Sequence, residues 1–312
     1  MKNVLTLLIA ILFSAGITFA QSNDADVTQD GTGNEADVVQ IGLENEAVIN
    51  QSNAVNNRAY IDQDGEGNDA TINQANASGT QQLHHGTIDQ LGDDNEAILD
   101  QSMWYGNVGH TGKIDQEGNR NYANLVMGGA NNDRGTINQT GDDNIADVDQ
   151  MRGASGTSNP AIVVIDQIGN WNEVYLDQHS STWTHAYIWQ DGDYNYVDLE
   201  QKQADNADIG QYGDNNKVAG VERVSLVPTM PLVFDEDGFA YQHTSDIDIY
   251  QLGDGNKVGF LQCGSGLGGR VFADIEQIGD GNMTLLWQYG AGGHNADISQ
   301  TGDMNTARVF QE

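Results

Sequence analysis

The side chains of this chain that could do chemistry are mostly carboxylates and carboxamides. Asp and Glu number 46 against 12 Lys and Arg, a net charge of -34 over 312 residues. Turn-like runs such as Gly92-Asp93-Asp94-Asn95 and Gly141-Asp142-Asp143-Asn144 offer hard oxygen ligands of the kind Ca²⁺ takes. The strict nonapeptide spacing of calcium β-rolls is absent, so the acids are read first as charge on an outer surface. The seven histidines, His84, His85, His110, His179, His185, His243 and His294, fall in segments of variable length. No H-x3-H spacing recurs among them, and solvated loop residues is the expectation, with no metal site. Cys263 is the only cysteine, so no intrachain disulfide can form. G-x-S-x-G, H-E-x-x-H and P-loop signatures are missing, and the acids recur at intervals instead of gathering. No enzyme activity and no cofactor are expected. A polysaccharide-acting enzyme would need one localised acidic cluster. The charge also argues against nucleic acid or an anionic lipid surface as partner.

The first twenty residues read as a secretory signal: Lys2 as the basic region, Val4 to Ile17 as the apolar core, and Thr18-Phe19-Ala20 as the cleavage site. The mature chain is expected to span 21–312, with no membrane insertion after cleavage.

The elements that must hold these side chains follow from a repeat. After a first occurrence at Gln29, Gly31 and Asn34, a glutamine is followed by glycine at +2 and asparagine at +5 eleven more times. The leading residues are Gln40, Gln63, Gln90, Gln116, Gln139, Gln167, Gln190, Gln211, Gln251, Gln277 and Gln300. The glycines are Gly42, Gly65, Gly92, Gly118, Gly141, Gly169, Gly192, Gly213, Gly253, Gly279 and Gly302. The asparagines are Asn45, Asn68, Asn95, Asn121, Asn144, Asn172, Asn195, Asn216, Asn256, Asn282 and Asn305. Position +11 closes the unit with Gln51, Gln74, Gln101, Gln150, Gln178, Gln201, Gln262, Gln288 and Gln311, and otherwise with Met127 or Glu222. From one closing residue to the next leading glutamine the distance drifts, from 10 residues (Gln201 to Gln211) to 29 (Glu222 to Gln251). One edge therefore needs a specific tight turn, and the other tolerates insertions.

Within a unit apolar and polar residues alternate, as in Ala59-x-Ile61-x-Gln63 and Ala70-x-Ile72-x-Gln74, which means strand. Two short strands per unit, joined by a G-x-x-N turn, predict an all-β β-solenoid of about eleven two-stranded coils. Short turns line one edge and variable loops the other, with an insertion at about 221–250 folding over one face. Alternation points the glutamines inward with Ala and Ile. A buried unpaired amide costs about 1 to 3 kcal/mol, and an identical amide one coil away removes that cost. The leading and closing glutamines and the asparagines are thus expected to form an assembly ladder. Outward acids such as Asp62, Asp89, Asp100, Asp115, Asp149, Asp166 and Asp177 would oppose sheet-to-sheet clumping.

Q-x-G-x-G-N-x-A-x-x-x-Q, present as Gln63, Gly65, Gly67, Asn68, Ala70 and Gln74, resembles the curlin repeat of bacterial curli fibre subunits. Gln29, Gly31, Gly33, Asn34, Ala36 and Gln40 match as well, and the resemblance runs from Gln29 to Gln311. The serine that usually stands six residues before the leading glutamine is here only Ser245; Asn34, Asn57 and His84 occupy that place elsewhere. The resemblance implies a secreted amyloid fibre subunit at the surface of a bacterium, contributing to biofilm and adhesion. It also implies self-association as the principal contact, with a nucleator subunit and an outer-membrane secretion pore as partners. A monomeric secreted β-solenoid, serving as an adhesin or a cation-binding surface protein, is the competing expectation.

Overall fold

The computed structural model describes residues 22–75, 83–103, 109–129, 132–152, 160–180, 184–202, 205–223, 232–235, 240–264, 270–290 and 293–312. The proposed signal segment lies outside the described residues. All regular structure among them is strand, in two sheets, parallel but for one pair at the insertion, that the chain visits alternately as it coils. An eleven-stranded sheet runs from Glu35–Leu43 to Asn295–Thr301 and carries the leading glutamines. A fourteen-stranded sheet runs from Asp24–Thr32 to Thr306–Gln311 and carries the closing residues. The eleven-coil β-solenoid expected from the spacing is the fold observed.

Register is set by the identity of equivalent positions. Gln63 pairs with Gln40 below and Gln90 above, while Ile61 lies between Val38 and Ile88. Because side chains alternate across a strand, this register sends Ala, Ile and Gln of both sheets into one narrow core. Ala59, Ile61, Ala70 and Ile72 are buried there. Size is compensated across the core: beside Leu99 and Leu125, the facing strands carry Gly112 and Gly135 where other coils have alanine. A Cβ at either glycine would come within 2.5 or 2.7 Å of a leucine methyl.

The insertion departs from its expected bounds. Lys217–Arg223 begins a rung, with Val218 beside Val197, then turns outward to pair antiparallel with Leu232–Asp235. Ala240–His243 enters and completes that rung, Leu199 against Ala240 and Gln201 against Gln242. Ser245–Leu252 is already back in the eleven-stranded sheet. The excursion thus runs from Val221 to Phe239. Leu226 and Val227 lie outside the described residues. Phe234 packs on Leu285, as do Leu261 and Trp287, with the Lys257 ammonium 5.3 Å from the Phe234 ring centroid.

Candidate functional site

The chemistry of this protein sits in its core. Along the eleven-stranded sheet each leading glutamine donates from Nε2 to Oε1 of the next, every link 2.8–2.9 Å, from Gln40 through Gln63, Gln90, Gln116, Gln139, Gln167, Gln190, Gln211, Gln251 and Gln277 to Gln300. The second Nε2 hydrogen crosses the core, as from Gln63 to the Glu46 carbonyl at 3.0 Å and from Gln74 to the Arg58 carbonyl at 2.9 Å. Where both bonds form, the amide links its own sheet vertically and the two sheets to each other, with both hydrogens used.

The closing ladder runs Gln29, Gln51, Gln74, Gln101, then Gln150, Gln178, Gln201, Gln242, Gln262, Gln288 and Gln311. Gln242, twenty residues past the position that spacing assigned to Glu222, supplies the rung at the insertion. The one break is Met127, whose sulfur lies 4.0 Å from Gln101 Nε2 and which offers no donor to Gln150 Oε1. That buried oxygen has no partner among the described residues. Met127→Gln is expected to close both gaps and raise stability by about 1–3 kcal/mol, read as a higher denaturation midpoint at unchanged slope. An unchanged midpoint would show that thioether packing offsets both links.

The asparagines form part of the expected amide-to-amide row, as from Asn95 Nδ2 to Asn68 Oδ1 at 3.1 Å, and bond to backbone as well. Each Oδ1 accepts the backbone N–H of the next asparagine, as Asn68 to Asn45 at 3.0 Å and Asn144 to Asn121 at 3.0 Å. Nδ2 reaches the carbonyl of the next turn glycine, as Asn121 to Gly141 at 2.7 Å. The same holds from Asn95 and Asn172 to Gly118 and Gly192, and Asn305 and Asn282 are joined as the others are. At Asn195, Asn216 and Asn256 the NH₂ has no acceptor among the described residues.

Turn carboxylates are likewise committed to backbone. Asp93, Asp142, Asp193, Asp254 and Asp303 each accept the N–H of the equivalent residue one coil earlier, at 2.7–3.0 Å. Among the described residues no group of three or more His, Cys, Asp or Glu could hold a metal ion.

The opposite corner, six residues before each leading glutamine, holds a row that spacing alone did not reveal. Asn34 Oδ1 accepts from the Asn57 N–H, Asn57 Oδ1 from His84, His84 Nδ1 from His110, His110 Nδ1 from Asp133, Asp133 Oδ1 from Ala161, and Asp205 Oδ1 from Ser245. His84 and His110 are thus buried and stacked, centroids 5.3 Å apart, correcting the expectation that all histidines are solvated. A side chain that bonds backbone need only offer an acceptor, so residue type drifts along this row. The fixed offset from glutamine was the available signal.

His84 must be neutral for Nδ1 to accept, and burial pushes its pKa from 6.5 down to about 4. Its folded pKa lies below its unfolded value, so the stability it contributes is present above pH 6.5 and is lost as pH falls toward 4, about 3 kcal/mol in all. His84→Asn, copying Asn57, is expected to abolish that acid loss; equal losses in both proteins would place the acid sensitivity elsewhere.

Outward carboxylates stack in register, Asp62 with Asp89 and Asp115 on one sheet, Asp149 with Asp177 and Glu200 on the other. Partial burial, then repulsion from neighbours in the row, raises the pKa of Asp89 and Asp149. Burial also raises the Cys263 thiol, which is consistent with an inert side chain.

Residues 20–52 match the family model described as curlin associated repeat. The same glutamine, glycine and asparagine spacing recurs in every later coil, on the same two ladders, of which the closing one is broken at Met127. The chain is similar to the curlin-repeat family over residues 20–52. No curated protein matches it.

Proposed function

We propose that this protein is the structural subunit of a secreted, curli-like amyloid fibre of the bacterial surface, growing by end-to-end stacking of solenoids. The observation that carries the reading is the polarity of the glutamine ladders. Every link donates toward the C-terminal end, so that end offers Nε2 of Gln300 and Gln311 while the other offers Oε1 of Gln29 and Gln40. The ends are complementary and different, and a head-to-tail contact of that kind propagates without closing. A role in biofilm matrix and adhesion, a nucleator partner and a secretion pore follow from the likeness to that family and stand as part of this proposal.

Purified mature protein is expected to polymerise, to be seeded by its own fibres and to diffract at about 4.8 Å along the fibre axis. A chain that stays monomeric at high concentration with seeds present would overturn the reading and favour a monomeric adhesin. Assembly is further expected to quicken with acid or salt. The outward carboxylates have raised folded pKa values. Their repulsion is therefore at full strength above those values and is relieved as pH falls through them; salt screens the same rows. Growth rates on existing seeds, compared between pH 7 and 5 and between low and high salt, check this.

A further inference from the structure

The two sheets are unequal. Among the described residues the path through the larger sheet has twelve rungs and the smaller sheet has eleven. The extra rung is Asp24–Thr32, a half-unit lying on Glu46–Val55. In a stack of whole copies the last strand of one, Thr306–Gln311, and the first of the next, Asp24–Thr32, would be consecutive rungs of the same sheet. The other sheet would then lack a rung between Asn295–Thr301 and Glu35–Leu43 of the next copy, a span of about 9.6 Å with both backbone edges unpaired. Removing one of the two strands closes the stack without a gap.

Asp24–Thr32 is the strand suited to leave. Its segment N-x-A-x-V-x-Q, Asn23 to Gln29, repeats the C-terminal N-x-A-x-V-x-Q, Asn305 to Gln311, at every inward position. It makes the same bonds: Gln29 Nε2 donates to Gln51 Oε1 at 2.8 Å, and Asn23 Oδ1 accepts the Asn45 N–H at 3.1 Å. Those are the bonds Gln288 makes to Gln311 and Asn305 makes to Asn282. Yet it is held poorly. Every residue of it is exposed, its register slips between Gln29 and Gly31, and Val27 remains 44% exposed, whereas Ala307 and Val309 pack on the core. Its outward side places Asp24 beside Glu46, with Asp26 next along. The C-terminal strand would put Thr306 and Arg308 at those two positions, replacing repulsion by attraction.

We infer that Asp24–Thr32 is a stand-in strand, occupying on each free copy the seat that Thr306–Gln311 of a preceding copy takes in the fibre. Growth then requires its release, which rests on the end-to-end reading above. The free chain protects its own sheet edge, and only copies that have opened accept a partner. Apparent affinity for a growing end is reduced by the closed fraction.

The test uses the full mature chain with Cys263→Ser, Thr28→Cys and Asn50→Cys. Positions 28 and 50 are Cα partners on neighbouring strands and both exposed, so a disulfide can lock the stand-in strand in its seat. The oxidised protein is expected not to extend seeds at the end formed by Glu46–Val55, and reduction is expected to restore growth. Oxidised protein that elongates at the reduced rate overturns the inference while leaving the fibre reading intact. Reduced and unmodified proteins that both fail to polymerise overturn the two together. A second full-length variant, Val27→Asp, loosens the strand without locking it, and its lag is expected to shorten by about tenfold. An unchanged or longer lag overturns the inference.

Discussion

Gly141→Ala is expected to destabilise the solenoid by about 3 kcal/mol or more, placing it among the costliest single methyl groups that could be added. Two independent causes add. The backbone at Gly141 has φ of 121°, where an L side chain is strained. The new Cβ would also stand 2.0 Å from the Gly169 carbonyl oxygen one coil above, a backbone atom that cannot swing aside. Gly302→Ala separates the two causes. Its φ is 100°, but no carbonyl lies above it, the nearest heavy atom being Asn305 Nδ2 at 3.7 Å. It is expected to cost only about 1 kcal/mol. In a stacked fibre, however, the next copy's Gly42 would supply that carbonyl, so Gly302→Ala should arrest growth from the end that carries it. Denaturant titration of the monomers and seeded elongation measure the two quantities. Equal destabilisation at both glycines would show that strain, and not the contact between coils, sets the requirement.

Gln139→Ala is expected to cost about 3–5 kcal/mol. Gln116 Nε2 loses its acceptor, Gln167 Oε1 its donor and the Tyr122 carbonyl its crossing bond. A cavity remains as well, in a core one side chain wide. Asp149→Ala on the outer face removes a carboxylate whose neighbour in the row is Asp177, and is expected to leave stability unchanged or slightly raised. Similar losses at 139 and 149 would mean that the amides do not carry the stack.

The sequence by itself determined the architecture, because a buried carboxamide is satisfied most simply by its own copy. Identical residues had to recur at identical offsets, and Gln40, Gly42 and Asn45 already announce the glutamine ladders, the tight edge and the period-two strands. Where a side chain bonds to backbone instead, any acceptor serves, and the pattern fades. Asn57, His84, His110 and Asp133 form one such row with no shared residue type, and two of them read as solvated loop histidines until their coils were stacked. The turn acids Asp93 and Asp142, which spacing offered as cation ligands, likewise spend an oxygen on an N–H of the coil before. Tertiary structure alone decided that Gln242 completes the rung assigned to Glu222. The choice depends on which segment reaches Gln201 and Gln262 after the chain has left the stack and returned, a contact that no local spacing encodes. The inequality of the two sheets, with one strand more on one side than on the other, is also visible only once the rungs are counted in space.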